Sequence, residues 1–222
     1  MAADRRTLLS ERPPEPTRLA RVTPVIRVAV NVAGAVGAAF FARASLEFYL
    51  HTHRLLGAAF FAEEMWFVGA FLVRRPARLV TRRPGDWLLA AGGTFGGLLF
   101  RPVGAHPQWG VEAGLGCQLA GLAICLMSLY ALGRSFGFAA ADRGLVTRGP
   151  YALVRHPVYA AYVIIQLGYL LQFVALWNGL VLLFASACNI GRALAEERVL
   201  TASGDYAAYR ARVRWRMLPR VW

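Results

Sequence analysis

The run Arg155-His156-Pro157 places two basic side chains directly before a proline that starts an apolar stretch. Proline suits the first turn of a helix, and it pushes the preceding residue, His156, into an extended conformation. The free amides of the helix start and the two basic side chains would then form an anion site, suited to the carboxylate of an amino-acid-like cofactor. The alternative is that Arg155 and His156 mark the membrane interface and contact lipid phosphate.

A second group of polar residues, Asn189, Arg192 and Glu196, with Glu197 beside it, lies near the end of another apolar stretch. Positions 189, 192 and 196 fall on one face of a helix, and Arg192 and Glu196 are one turn apart. Ionisable groups at the end of an apolar span face protein or water and are candidates for function. The alternative is a structural ion pair at the membrane interface.

The composition indicates an integral membrane protein. With 57% hydrophobic residues and a mean hydropathy of +0.44, the 222-residue chain is too apolar for an ordinary soluble domain of its size. All 25 basic residues are arginines. They are scattered between apolar blocks, which fits membrane flanks better than nucleic-acid binding. Cys117, Cys125 and Cys188 lie inside apolar runs, and no cysteine or histidine spacing predicts a metal site.

Six apolar stretches can be drawn, at roughly 25–50, 55–73, 87–102, 112–132, 157–176 and 178–195. The fourth and fifth come closest to the ~20 residues that cross a bilayer as a helix. The third stops at Arg101-Pro102 and the sixth is interrupted by Asn189 and Arg192, so five spans are the alternative to six. The sequence therefore predicts an all-α fold, a polytopic bundle of membrane helices with a C-terminal amphipathic helix.

Two details of the bundle also follow from the sequence. Trp177-Asn178-Gly179, between the fifth and sixth stretches, predicts the turn of a tight helical hairpin. Glu63 and Glu64 lie midway along the second stretch, where a charge is costly. We therefore expect these two acids to face the bundle or to stay protonated.

Arginine placement predicts the orientation, because cytoplasmic loops of membrane proteins are rich in positive charge. With the N-terminus inside, 22 of the 25 arginines fall in inside segments, and only Arg43, Arg54 and Arg101 fall outside. We therefore expect a multi-pass protein with both termini in the cytoplasm, and the Ala, Arg, Gly and Val bias suggests a bacterial inner membrane. The expected parts are a disordered cytoplasmic tail (1–24), N-terminal spans (25–132) and a core that carries the chemistry (133–222).

Several short motifs follow one another in the second half of the chain. Leu-Val-Thr, Gly-Pro-Tyr, Arg-His-Pro-x-Tyr and Glu-Glu-x-x-Leu occur in this order between positions 145 and 200, and Gly-x-Tyr-x-x-Tyr and Leu-Pro follow them. In this order and spacing the chain resembles the isoprenylcysteine carboxyl methyltransferase family and, more loosely, phospholipid N-methyltransferases. The resemblance covers roughly residues 130–220, and the first 110 residues match only as generic membrane spans.

The resemblance implies S-adenosylmethionine as cofactor. The residues that it assigns to the cofactor are Leu145, Val146, Tyr151, His156, Pro157, Tyr159 and Glu196. The anion site expected at the helix start adds Arg155 to them. It further implies that Arg192, four residues before Glu196, binds the carboxylate of the methyl acceptor, with Asn189 on the same face. In this chain Arg143-Gly144 replaces the histidine that some eukaryotic members carry before Leu-Val-Thr.

These observations predict a membrane-embedded methyltransferase that acts on a lipid-like, carboxylate-bearing substrate, with Arg192 and Glu196 as its catalytic pair. In-line methyl transfer requires positioning more than proton transfer, and a carboxylate is already ionised near neutral pH. An amine acceptor would need a base such as Glu196, Glu197 or a tyrosine. Three alternatives stay open: a phospholipid N-methyltransferase, an NADPH-dependent membrane reductase of the steroid or sterol reductase type, and a membrane protein without enzymatic activity.

Overall fold

The computed structural model describes residues 19–20, 23–202, 204 and 206–222, so most of the predicted tail (1–24) lies outside the described residues. In chain order the helices are α1 Pro24–Thr52, α2 Leu55–Val73, α3 Pro84–Phe95, α4 Gln108–Leu132, α5 Pro157–Gln172, α6 Leu176–Thr201 and α7 Tyr206–Arg212. Short 3-10 turns occupy Gly96–Leu99, Gly133–Ser135 and Gly149–Ala152. The predicted helical membrane fold is confirmed.

Four helices are long and apolar enough to cross a membrane: α1, α2, α4 together with its following turn, and α6. The other two apolar helices are shorter than predicted, because α3 has 12 residues and α5 has 16. At 1.5 Å per residue they reach about 18 and 24 Å, less than a ~30 Å hydrocarbon core. Helix α3 ends early because Gly96 and Gly97 follow it, and glycine disfavours continuation of a helix. All six predicted apolar stretches are thus helical, but two of them are partial spans.

The turn between α5 and α6 lies earlier than predicted. Helix α6 begins at Leu176, so Trp177, Asn178 and Gly179 belong to its first turn, and Phe173 to Ala175 make the connection. The reason is the buried amide of Asn178. Its Nδ2 donates to the carbonyl oxygens of Phe173 and Arg101, both at 2.9 Å, and its Oδ1 accepts from the amide of Arg101 at 3.0 Å. Asn178 therefore joins the helical hairpin to the segment that follows α3.

Helices α4 and α5 approach each other through glycines. A Cβ atom built on Gly114 would overlap the carbonyl oxygen of Gly168, and one built on Gly168 would overlap that of Gly114. About two helical turns further along α4, a Cβ atom on Gly121 would lie 3.0 Å from the carbonyl oxygen of Ala161. Small residues at such spacing let membrane helices pack backbone to backbone. This packing sets the position of the N-terminal end of α5, where Tyr159 and Tyr162 lie.

Helices α3 and α6 also pack closely. A Cβ atom on Gly92 would lie 2.6 Å from Sγ of Cys188, and one on Gly93 would lie 2.5 Å from Oδ1 of Asn189 and 2.9 Å from Cδ of Arg192. The small residues of α3 therefore leave room for the polar face of α6. This contact fixes Asn189 and Arg192 from the side opposite to α5.

The two acids of α2 take different environments. Glu63 is buried and accepts a hydrogen bond from Sγ of Cys125 on α4 at 3.2 Å, whereas Glu64 is half-buried. Glu63 thus faces the bundle, as the sequence predicted. Its hydrogen bond links α2 to α4.

A small antiparallel sheet joins loops at one end of the bundle, and the all-α prediction did not include it. Strand β2 (Leu79–Thr81) pairs with β1 (Leu19–Ala20) on one side and with β3 (Ala141–Asp142) on the other. Strands of two or three residues show no alternation that a sequence could reveal. The sheet holds the loop after α4 against α6, where Ala140 packs on Ala195 and Val199.

Candidate active site

A cavity of about 110 Å³ lies between α4, the loop that follows it, α6, and the starts of α5 and α7. The wall includes Ser135, Phe136, Arg143, Gly144, Leu145, Val146, Tyr151, Arg155, His156, Val158, Tyr159, Tyr162, Arg192, Glu196, Leu200, Tyr206 and Tyr209. Residues from distant parts of the sequence thus converge on one site.

Most residues that the sequence assigned to a site line this cavity: Leu145, Val146, Tyr151, Arg155, His156, Tyr159, Arg192 and Glu196. Two of the assigned residues do not line it. Pro157 is buried as the first residue of α5, and Asn189 is buried behind Arg192. Pro157 and Asn189 therefore lie behind the residues that form the cavity wall and support them.

His156 lies between the two neighbouring glutamates of α6. Its Nε2 is 3.2 Å from Oε1 of Glu197, and its Nδ1 is 3.6 Å from Oε2 of Glu196. Burial alone would lower the pKa of His156, but the hydrogen bonds and charges of the two glutamates outweigh it and raise the pKa above the ordinary 6.5. The backbone of His156 has φ −131° and ψ 61°, outside the helical region but less extended than predicted.

Glu197 carries a cluster of ion pairs whose cationic partners the sequence did not predict. Oε1 of Glu197 is 3.1 Å from Nη1 of Arg155, and Nε of Arg216 lies 3.2 and 3.3 Å from its two oxygens. The side chain of Arg155 is only 4% exposed, so it is held inside this cluster. The predicted anion site at the start of α5 is thus already neutralised by a protein carboxylate. The Glu-Glu pair was the only sequence signal for this cluster.

The C-terminal segment crosses the start of α5. The amide of Arg155 donates to the carbonyl oxygen of Trp215 at 2.9 Å, and that of His156 donates to Arg216 at 2.7 Å. The guanidinium of Arg216 stacks over the ring of Trp222 at 4.9 Å. We call residues 213–222 the C-terminal strap. It fixes the backbone of His156, and its irregular structure has no periodicity from which it could have been predicted.

Arg192 has a different environment from Arg155. Its Nη2 donates to the carbonyl oxygen of Phe138 at 3.0 Å, and its Nη1 donates to Thr94 at 3.2 Å and Asn189 at 3.4 Å. All three acceptors are neutral. Arg192 is only 7% exposed, and it forms no ion pair within the described part of the chain. The cavity wall therefore contains a buried guanidinium without a direct salt bridge, although its charge acts on the nearby carboxylate of Glu196.

Tyr159 connects the two halves of the site. Its hydroxyl donates to Oε1 of Glu196, and the guanidinium of Arg192 lies over its ring at 4.9 Å. The side chain of Glu196 is 25% exposed, compared with 8% for Glu197. Of the two glutamates, Glu196 is thus the one that faces the cavity.

Three further tyrosines form the opposite wall. The hydroxyl of Tyr209 donates to the carbonyl oxygen of Tyr151 at 2.8 Å, and the rings of Tyr206 and Tyr209 pack edge to face. Burial raises the pKa of Tyr209 to about 12 and the pKa of Tyr151 well above its usual value. These tyrosines are therefore neutral at physiological pH and offer aromatic surface to a ligand.

Residues 109–203 match the sequence model of a family described as phospholipid methyltransferase. The matched segment contains α5, α6 and the loop before them, and thus most of the cavity wall. The chain is a membrane methyltransferase, and its predicted resemblance to phospholipid methyltransferases is confirmed over this segment. The match favours methyl transfer over the reductase and non-enzymatic alternatives.

Among solved structures, the chain is similar to a eukaryotic intramembrane Ras methyltransferase, isoprenylcysteine carboxyl methyltransferase. The two share 16% sequence identity with a TM-score of 0.42, over 90% of this chain and 88% of that one. No curated protein sequence matches the chain significantly.

Proposed function

We propose that the protein transfers a methyl group from S-adenosylmethionine to a carboxylate on a lipid-like substrate inside the membrane. The observation that carries this proposal is the buried guanidinium of Arg192, which donates hydrogen bonds only to neutral groups and lies beside Tyr159 and Glu196 in the cavity wall. Buried arginines are normally paired directly with an anion. The carboxylate of an acceptor would supply that direct pairing.

The groups present in the cavity suit S-adenosylmethionine, which carries an ammonium, a sulfonium, a carboxylate and an adenine ring. Glu196 faces the cavity and can bind a cationic part of the cofactor. Tyr206 and Tyr209 offer aromatic surface for the adenine or the sulfonium. Nε of Arg143 is buried in the wall without a hydrogen-bond partner, so a donor is available for an anionic part.

Each part of the wall has a distinct task in this proposal. When bound, the cofactor supplies a methyl group made electrophilic by the adjacent sulfonium. Arg192 holds the acceptor carboxylate so that one oxygen points at that methyl group, and Tyr159 keeps Arg192 and Glu196 in a fixed relation. A carboxylate needs no deprotonation near neutral pH, so holding the two reactants in line is the main contribution of the chain.

An amine acceptor is the second candidate, because the matching family is described as phospholipid methyltransferase. In that case Glu196 would accept the proton of the amine, since it is the carboxylate that faces the cavity. A methyl ester is hydrolysed by mild base, whereas a methylated amine is not. The chemical stability of the product therefore separates the two acceptors.

The test is incubation of the purified full-length protein with membrane lipid extract and S-adenosylmethionine labelled in its methyl group. We expect a labelled, organic-soluble product that loses its label as methanol in mild base, and no product with Arg192→Ala. Base-stable label would favour the amine acceptor. Binding of NADPH without binding of S-adenosylhomocysteine would contradict a methyltransferase.

The proposal includes a membrane topology, with both termini in the cytoplasm of a bacterial cell and the cofactor entering from that side. Its support is the arginine distribution along the sequence. Single cysteines placed at positions 3 and 221 should resist a membrane-impermeant label in intact cells. Labelling of either position from outside would contradict this topology.

A further inference from the structure

Four arginines meet at the C-terminal end of α2: Arg74, Arg75, Arg134 and Arg143. Hydrogen bonds join three of them, Arg75, Arg134 and Arg143. The amide of Arg75 donates to the carbonyl oxygen of Arg134 at 2.7 Å, and Nη1 of Arg143 donates to the carbonyl oxygen of Arg75 at 2.6 Å. Nε of Arg134 donates to the carbonyl oxygen of Val73 at 2.7 Å. We call these four residues the arginine cluster.

The arginine cluster carries positive charge that the described part of the chain does not neutralise, because none of its members forms an ion pair there. Arg74 is buried, and its partners are Oδ1 of Asn31 at 2.7 Å and the ring of Phe71 at 4.8 Å. Burial and the charge of Arg143 lower the pKa of Arg74 to about 10. The carbonyl end of α2 offers roughly half a negative charge, far less than four guanidinium groups.

The location of the cluster indicates which anion it meets. Helix α2 is apolar and long enough to cross a membrane, and it ends at Val73, directly before the cluster. Arg75 and Arg134 are exposed there. Side chains that follow the end of a membrane span lie at the level of the lipid headgroups, where the abundant anion is phosphate.

We propose that the arginine cluster binds the phosphate of an anionic membrane phospholipid. The exposed side chains of Arg75 and Arg134 contact the headgroup, and the positive charge of the buried Arg74 attracts the phosphate electrostatically. Arg143 and the following Gly144 also line the active-site cavity. The bound lipid would therefore lie beside the wall that contains Leu145 and Val146, without being the methyl acceptor. This site is independent of which acceptor the enzyme uses.

The experiment titrates the full-length protein in detergent with phosphatidylglycerol, and in parallel with phosphatidylcholine and with inorganic phosphate, using native mass spectrometry. An arginine near a lipid surface contributes about 1 kcal/mol, so Arg75→Gln should weaken phosphatidylglycerol binding about fivefold and Arg75→Gln with Arg134→Gln about 25-fold. Arg75→Lys should keep most of the affinity. The matched control is Arg54→Gln at the opposite end of α2, which should change nothing.

The side chain of Arg75 makes no hydrogen bond in the described part of the chain, so we expect its replacement to leave the fold intact. A change in lipid binding can then be assigned to the lost charge. Three results would overturn the proposal. Equal losses from Arg54→Gln and Arg75→Gln would mean diffuse attraction without a site. Equal binding of phosphatidylcholine would exclude selection of an anionic lipid, and equally tight inorganic phosphate would indicate a site for the free ion.

Discussion

The imidazole of His156 and the carboxylate of Glu197 lie 3.2 Å apart, although 41 positions separate them in the chain. The same carboxylate also binds Arg155 and Arg216. Glu197 is therefore surrounded by protein cations. Its neighbour Glu196 points toward the cavity and pairs with Tyr159. Two consecutive glutamates thus have separate environments, one inside an ion cluster and one at the surface of the site.

This difference predicts that the same substitution destabilises the protein much more at Glu197 than at Glu196. Glu197→Gln leaves Arg155 buried without a counter-charge, which should destabilise the protein by about 3 kcal/mol. Glu196→Gln should change stability by less than about 1 kcal/mol, because its side chain is partly exposed. Thermal unfolding of both variants in detergent measures the two losses of stability. Equal losses of stability would show that the two glutamates do not differ in role.

Arg216→Gln should act in the same direction as Glu197→Gln but more weakly. Arg216 is one of several cations on Glu197 and its side chain is 24% exposed, so we expect a loss of about 1 kcal/mol. Arg212→Gln, an exposed arginine on α7, is the matched control and should leave the unfolding temperature unchanged. If both arginine variants lower it equally, general charge and not the ion cluster would be the cause.

The sequence predicted the site better than it predicted the geometry around it. The motif residues Tyr159, Arg192 and Glu196 do lie together, because helical spacing and the hairpin leave few other arrangements. The partner of Arg155 could not be predicted, because the fold brings Glu197 of α6 to the start of α5 and no spacing in the sequence indicates that contact. Likewise, nothing in the sequence indicated that Thr94 of α3 would bind Arg192. Contacts between residues that lie far apart in the chain leave no periodic signal.

The raised pKa of His156 predicts a pH dependence of stability. A histidine whose pKa is higher in the folded than in the unfolded state stabilises the fold most below the unfolded value of about 6.5, and this stabilisation disappears as the pH rises through the folded value. The unfolding temperature of the unmodified protein should therefore fall, relative to His156→Gln, as the pH rises above about 6.5. The control is the exposed His51→Gln. If the unfolding temperature of the unmodified protein instead rises relative to that of His156→Gln as the pH increases, the pKa of His156 is not raised in the folded protein.

The contact of α4 with α5 predicts different effects for two nearby glycines. Gly114→Ala places a methyl group against the carbonyl oxygen of Gly168, and the backbone cannot move away cheaply. We expect a loss of about 2 kcal/mol or more and a low yield of folded protein. Gly116→Ala on the same helix meets open space and should be neutral or stabilise slightly. Similar yields for both variants would mean that the helices do not pack as described.

The last prediction separates binding of the cofactor from binding of the acceptor. If Glu196 and His156 act on S-adenosylmethionine, Glu196→Ala and His156→Ala should each weaken its binding by about 1.5 to 3 kcal/mol, the value of a charge-assisted hydrogen bond. Arg192 donates hydrogen bonds only to neutral groups and should hold the acceptor. Arg192→Ala should therefore keep cofactor affinity within about threefold while most turnover is lost, and Arg192→Lys should restore little, because an ammonium cannot make a two-pronged contact with a carboxylate.

Calorimetric binding and methyl-transfer rates measure both effects on the same proteins. If Arg192→Ala abolishes cofactor binding as completely as Glu196→Ala does, Arg192 belongs to the cofactor pocket and the acceptor must be held by other residues.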